Sequence, residues 1–303
     1  MIVPLDRRTA LRIGAAALGL IALAGCSPAG LLNGLSRVSG DGNTRLAVRG
    51  AAYGALPRNK LDVWVPAKRS ATPLPVIVFF YGGGWVSGDR GDYGFAGRAF
   101  AAQGFVTIVA DYRLVPEVRF PAFLQDGALA VKWARDHVAQ YGGDPARISL
   151  VGHSAGAYQA AMLSLDRRYL TDVGVDPKII RAAALLAAPT DFYPFTEVRG
   201  RDALGAWPNP AETQPITYAR ADAPPILLMH GTADTIVRPY NSERLAAKLK
   251  RLGARVALQL YQGKSHTDLV KSLSPTFRSA TPALADSVDF LRTNSGPPTS
   301  RSR

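Results

Sequence analysis

The run Ile148-Ser149-Leu150-Val151 ends in Gly152-His153-Ser154-Ala155-Gly156 and continues into Ala157, Gln159, Ala160, Ala161 and Met162. The first segment is apolar and β-forming, the last is rich in strong helix formers, and only five residues join them. A serine between two glycines on so short a link needs a strained turn, and flanking residues without Cβ let strand and helix approach closely. Strand, sharp turn and helix in that order require a layered α/β fold in which the serine hydroxyl is presented at the end of a strand.

The rest of the chain keeps the same rhythm. Candidate strands fall at Leu46 to Tyr53, Leu61 to Val65, the strongly apolar Val76 to Tyr81, Val106 to Ala110, Ala182 to Ala187, Ile226 to His230 and Val256 to Tyr261. Helical spacing appears from about Ala122 to Gln140, with Leu124, Ala128, Val131 and Val138 on its inner stripe, after Ser154, and in Leu284 to Leu291. A further helix places Leu245, Leu249 and Leu252 inward, Lys248, Lys250 and Arg251 outward, and stops at Gly253. The predicted fold class is α/β, a mainly parallel central sheet with helices on both faces and a short cap insertion between Pro189 and Pro225. With 47% hydrophobic and 19% charged residues in 303, the composition supports one large catalytic domain, placed at residues 44–293.

Upstream of the serine, the Val76 strand ends in Tyr81-Gly82-Gly83-Gly84-Trp85. Three successive glycines weaken a backbone unless its N–H groups must point at a ligand or a developing charge. Two βα units before a strained serine is where acyl transfer needs an oxyanion site, and the donors are assigned to Gly83, Gly84 and Ala155. A serine hydroxyl also needs a base and an orienting carboxylate. Of the four histidines, His137 sits on a surface helix, His153 adjoins the serine, and His230 ends a strand, where it packs beneath the site or bonds a neighbour. His266 follows the last strand and completes the order serine, acid, histidine, so it is the expected base. Asp234, in Gly231-Thr232-Ala233-Asp234 just past a central strand, is the expected acid, with Asp222 and Asp268 read as solvated loop charges.

At these motifs, together with Gly88-Asp89, Asp111-Tyr112-Arg113-Leu114, Pro116-Glu117, Phe120-Pro121 and Tyr141-Gly142-Gly143-Asp144-Pro145, the chain resembles the α/β-hydrolase-fold esterases related to hormone-sensitive lipase. The likeness is to the bacterial carbohydrate acetyl and feruloyl esterase-like (BD-FAE-like) branch and to isoprenylcysteine methylesterase-like enzymes, and it runs from about Leu61 to His266. It implies a serine carboxylic-ester hydrolase using Ser154, Asp234 and His266 on a small-molecule ester, with no metal or cofactor. Where that family usually has histidine, this chain has Tyr81. Phe192, Tyr193, Phe195 and Trp207 in the short insertion either wall a small acyl pocket or pack the insertion on the sheet. The first of these favours short-chain acyl esters. Rival readings are an aryl-formamide hydrolase and a non-catalytic lipoprotein that keeps the fold.

The N-terminus carries Arg7, Arg8 and Arg12 before the apolar stretch Ile13 to Ala24, the layout of a signal peptide, assigned to residues 1–25. Leu23-Ala24-Gly25-Cys26 resembles the lipobox of bacterial lipoproteins, and Cys26 is the single cysteine, so no intrachain disulfide exists. The expectation is export to the bacterial cell envelope and membrane attachment through lipidated Cys26. Residues 26–43 read as a flexible tether and 294–303 as a disordered tail. The net charge is +13, but Lys and Arg are scattered and no nucleic-acid module is present, so nucleic acid is not an expected partner.

Overall fold

The computed structural model describes residues 27–39 and 43–296. In chain order its elements are α1 (Pro28–Ser39), β1 (Thr44–Ala52), β2 (Lys60–Pro66), β3 (Leu74–Phe80), α2 (Gly94–Ala102), β4 (Val106–Ala110), α3 (Ala122–His137), β5 (Gly143–His153), α4 (Ala155–Leu165), α5 (Arg168–Asp172), β6 (Ile180–Leu186), α6 (Val198–Leu204), β7 (Ile226–Gly231), α7 (Tyr240–Arg251), β8 (Val256–Tyr261), α8 (Asp268–Lys271) and α9 (Ala283–Asn294). The strands form one eight-stranded sheet in the order β1-β2-β4-β3-β5-β6-β7-β8. β1 and β2 run antiparallel at one edge, and every pairing from β4 to β8 is parallel.

Burial explains the strand sequences. Val76, Val78 and Phe80 of β3 face one apolar layer, with Ala128 and Val131 of α3, Ala157 and Ala161 of α4, and Leu245 and Leu249 of α7. Ile77 and Phe79 face the other, with Phe95 and Phe100 of α2 and Val288 and Leu291 of α9. A strand covered on both faces reads as a continuous apolar run, as β3 does. The central pairings align Phe80 with Gly152, His153 with Leu186, and Leu186 with Met229, so the carboxyl ends of β3, β5, β6 and β7 open at one rim of the sheet. Open parallel sheets build their sites there.

Three sequence readings are corrected. The segment expected as a flexible tether, 26–43, contains helix α1, which docks on the body. Its inner stripe is Ala29, Leu32, Asn33 and Ser36, and Arg98 of α2 donates to Asn33 Oδ1 at 2.8 Å and to Ser36 Oγ at 3.0 Å. Half of that stripe is polar, so apolar periodicity does not reveal it. The expected tail is ordered at its start, because Ser295 is buried and its carbonyl accepts from Arg147 Nε at 2.6 Å. Leu252, read as inward, is 41% exposed: it is the C-terminal cap of α7, where its N–H still donates to Lys248 O at 3.1 Å but the helix runs no further along the sheet. The signal-peptide segment 1–25, Cys26 and residues 297–303 lie outside the described residues.

Candidate active site

The turn after β5 is as tight as its sequence demands. A Cβ on Gly152 would stand 2.3 Å from the Gly156 carbonyl oxygen, and one on Gly156 would stand 2.0 Å from that of Phe80. Strand and helix can meet here only if both positions are glycine. Ser154 between them has φ +55° and ψ −123°, a conformation that costs a non-glycine residue about 1–3 kcal/mol and persists only when its surroundings enforce it. The enforcement is visible: its N–H donates to Leu186 O at 2.9 Å and its carbonyl accepts from Tyr158 N at 2.9 Å.

Two loops meet at this serine. Gly231 ends β7, and a Cβ there would strike Lys264 O at 2.1 Å. The same carbonyl accepts from Ala233 N at 3.0 Å, which ties the loop carrying Asp234 to the loop carrying His266. His266 Nε2 lies 2.9 Å from Ser154 Oγ, and its Nδ1 lies 2.7 Å from Asp234 Oδ2. Asp234 is 2% exposed and His266 7%, so the chain of contacts is shielded while Ser154 stays half-buried. Asp234 Oδ1 accepts from the amides of Ile236 and Val237, both at 2.9 Å. Burial alone would raise the Asp234 carboxyl, but hydrogen bonds from His230, His266 and the Val237 amide outweigh it and hold the group well below the usual carboxylate range. An ionised acceptor at Oδ2 fixes a proton on His266 Nδ1 and leaves Nε2 free to take one from the serine. The competitors do other work. Asp222 is exposed and pairs with Arg167 and Arg220, and Asp268 is half-buried, its Oδ2 accepting from Ser265 N at 2.8 Å.

The other two buried histidines form a layer beneath this chain, as expected of His230 from its strand end but not legible for His153. His153 Nε2 donates to the main-chain carbonyl of His266 at 3.0 Å, and the two rings lie 4.8 Å apart. Burial, followed by the nearness of His266, pushes the His153 imidazole down to about 3. His230 donates from Nε2 to Val237 O at 2.8 Å and stands 3.3 Å from Asp234 Oδ2, while its Nδ1 meets Ser242 Oγ at 2.7 Å.

The glycine loop abuts the serine, since a Cβ on Gly82 would lie 3.2 Å from Ser154 Cβ. Gly83 has φ +135°, and a Cβ there would sit 2.0 Å from Ser87 O. The amides of Gly83, Gly84 and Ala155 donate to no acceptor among the described residues, so they are available to a negatively charged oxygen beside Ser154. Tyr81 takes over the anchoring of this loop. Its ring stacks between Tyr112 at 4.8 Å and Tyr93 at 5.2 Å, and its hydroxyl donates to Asp111 Oδ1 at 2.8 Å. Burial raises the Tyr81 phenol well above its ordinary value, so it keeps its proton as a donor. Arg58 Nη2 donates to the Tyr81 hydroxyl at 2.9 Å and to Gly88 O at 2.8 Å, and Tyr112 donates to the Tyr81 carbonyl at 2.8 Å.

Aromatic side chains that follow the glycine loop, on α4 and in the insertion pack on one another. Trp85 stacks on Phe192 at 6.3 Å and meets Tyr158 edge-on at 5.3 Å, and Phe192 meets Phe195 at 5.4 Å. Trp207 packs on Phe120 at 5.0 Å, and Tyr193 is 56% exposed.

Sheet order, strained serine and converging loops define an α/β-hydrolase fold with the hydroxyl, imidazole and carboxylate of a serine-hydrolase constellation. The chain belongs to the BD-FAE family, whose model matches residues 61–249. It is 30% identical over 244 residues to a probable isoprenylcysteine alpha-carbonyl methylesterase of Arabidopsis thaliana, covering 73% of this chain and 51% of that one. The chain thus spans about half the length of that curated relative. Thermogutta terrifontis esterase 2 superposes with TM-score 0.69 at 27% identity over 84% of this chain and 96% of that one, and it has also been solved with propionate and with butyrate bound. A carbohydrate esterase from gut microbiota matches in fold, with TM-score 0.72 at 21% identity over 84% of this chain and 97% of that one.

Proposed function

We propose that this protein is a serine esterase that hydrolyses short-chain carboxylic esters through Ser154, His266 and Asp234. The observation that carries the reading is the unbroken line from Ser154 Oγ to His266 Nε2 at 2.9 Å and from His266 Nδ1 to Asp234 Oδ2 at 2.7 Å, beside three amides without a protein acceptor. In the acylation step Ser154 Oγ attacks the ester carbon and its proton passes to His266 Nε2. The carbonyl oxygen takes the negative charge and is held by the amides of Gly83, Gly84 and Ala155. Collapse breaks the bond to the alcohol oxygen, which leaves with the proton from Nε2. Water then attacks the acyl-serine with His266 again as base, releasing the acid and restoring Ser154. Asp234, kept ionised by its surroundings, orients the imidazole and stabilises its charged form.

Support for esters comes from the relatives' names, and support for short acyl chains from the short, closely packed aromatic insertion and from the propionate and butyrate bound by the Thermogutta enzyme. The N-terminal pattern supports export and attachment through lipidated Cys26. The test of the activity is labelling by a fluorophosphonate probe together with turnover of 4-nitrophenyl acetate. Wild type is expected to show both and Ser154→Ala neither; a wild type that neither labels nor turns over is the non-catalytic protein.

A further inference from the structure

Arg199 on α6 leans over the oxyanion loop. A Cβ on Gly84 would stand 2.6 Å from Arg199 Cδ, 3.3 Å from Nη1 and 3.5 Å from Nε, so the guanidinium lies against Gly84, a residue of the oxyanion loop. The side chain is exposed and forms no hydrogen bond or ion pair with any described residue. Its neighbours do not supply a partner. Glu197 and Asp202 make no ion pair with it, and Arg201 spends its Nη1 on the Thr196 carbonyl at 2.7 Å. The backbone that carries Arg199 is nevertheless fixed. Phe195 and Phe192 approach within 3.7 and 3.8 Å of the position a Gly200 Cβ would take, and Ala203 O accepts from Phe120 N at 2.8 Å.

A cation carried on a fixed backbone against Gly84 of the oxyanion loop, with its donors unused, is arranged for an anion that arrives with the substrate. The net charge, +13 for the whole chain and +11 without the three arginines and one aspartate of residues 1–25, works in the same direction by drawing anions towards the surface. We propose that Arg199 is a specificity-determining residue that receives a carboxylate or phosphate on the ester, so that negatively charged esters are the preferred substrates. The proposal rests on the esterase reading and deepens it.

The test uses two matched pairs of esters. In one the charge is on the alcohol side, 4-acetoxybenzoate against 4-acetoxybenzamide. In the other it is on the acyl side, a succinic half-ester against its neutral methyl ester. The readout is the ratio of kcat/KM within each pair, for wild type, Arg199→Gln, Arg199→Lys and Arg199→Glu. Wild type is expected to favour the anionic member of at least one pair by about 10-fold, the size expected of one charge-assisted pair in a partly exposed place. The ratio should fall towards one in Arg199→Gln, be partly kept in Arg199→Lys and invert in Arg199→Glu, mainly through KM. The pair that responds identifies which side of the ester bears the anion. Unchanged ratios, or an equal loss of kcat on charged and neutral members, overturn the proposal and leave Arg199 as packing or as a further oxyanion donor. Absence of both fluorophosphonate labelling and neutral-ester turnover in wild type instead sinks the underlying esterase reading.

Discussion

In the proposed mechanism Ser154 and His266 share one proton, so removing either removes the same step. Ser154→Ala and His266→Ala are each expected to abolish nearly all turnover, and the double variant should lose little more; additive losses in log kcat would count against the pairing. Asp234→Asn keeps the shape but inverts the favoured tautomer of His266, and kcat should drop on the order of 10⁴-fold with the thermal midpoint little changed. His153 makes a separate prediction about stability. Its imidazole titrates near 6.5 in an unfolded chain and is pushed down to about 3 when folded, so between those values the unfolded state holds the extra proton. Stability therefore rises with pH across that window and is lost as pH falls from about 6.5, by up to about 1.4 kcal/mol per unit. Asp234, depressed in turn, adds to the loss only below its ordinary carboxylate range. Urea unfolding between pH 4 and 7 should give a shallower slope in His153→Gln than in wild type, and equal slopes would show that other groups govern the acid limb. The juxtaposition of Ser154, His266 and Asp234 was legible from sequence because residue type, chain order and strand ends all constrain it. The places of His153 and Arg199 were not, because each touches a residue distant in sequence that no local pattern encodes.

At the level of elements, the glycine loop is legible as a loop but not in its support. Tyr81 in place of histidine leaves open what holds the backbone, and the structure answers with Asp111, Arg58, Tyr93 and Tyr112. Tyr81→Phe keeps the stacking and deletes the hydroxyl that joins Asp111 to Arg58. Removing one buried, charge-assisted hydrogen bond costs about 1.5–3 kcal/mol, so a fall in melting temperature is expected, accompanied by a lower kcat with KM little changed if the amides lose alignment. Loss of stability at full kcat would place the network outside catalysis. The insertion between β6 and β7 is likewise legible as short and aromatic. How its rings pack was not legible, because stacking of Phe192 on Trp85 joins residues far apart in the chain. On the proposed reading Phe192, Phe195 and Trp85 bound a small acyl pocket, and each further methylene that no longer fits costs about 1–3 kcal/mol of discrimination. Across nitrophenyl esters, kcat/KM should peak between acetyl and butyryl and fall steeply beyond; an optimum at decanoyl or longer, or activation at an oil interface, would identify a lipase instead.

For the molecule as a whole, α1 decides how a lipid-anchored form is held. Leu32 is 8% exposed, Asn33 Nδ2 donates to Gly91 O at 2.6 Å, Arg98 grips Asn33 and Ser36, and Ser27 pairs with Asp92. The catalytic body is therefore tied to the chain from residue 27 onward, and a lipid on Cys26 would keep it next to the bilayer, where an 18-residue tether would have let it roam. The lipid and the docking are separable, because these contacts use no atom of Cys26. Exposed Arg37, Arg45 and Arg49 lie in α1 and the neighbouring edge strand β1, and a basic residue close to an anionic leaflet contributes about 1 kcal/mol that salt screens. Cys26→Ser is accordingly expected to move the protein from the membrane pellet to the soluble fraction, with a residual pelleted share that salt removes, and to leave kcat/KM on a soluble ester as in wild type. Fractionation at low and high salt, with sequencing of the mature N-terminus, checks this. A wild-type protein that retains Met1, or a Cys26→Ser protein that stays in the pellet at high salt, would show that attachment does not depend on this cysteine.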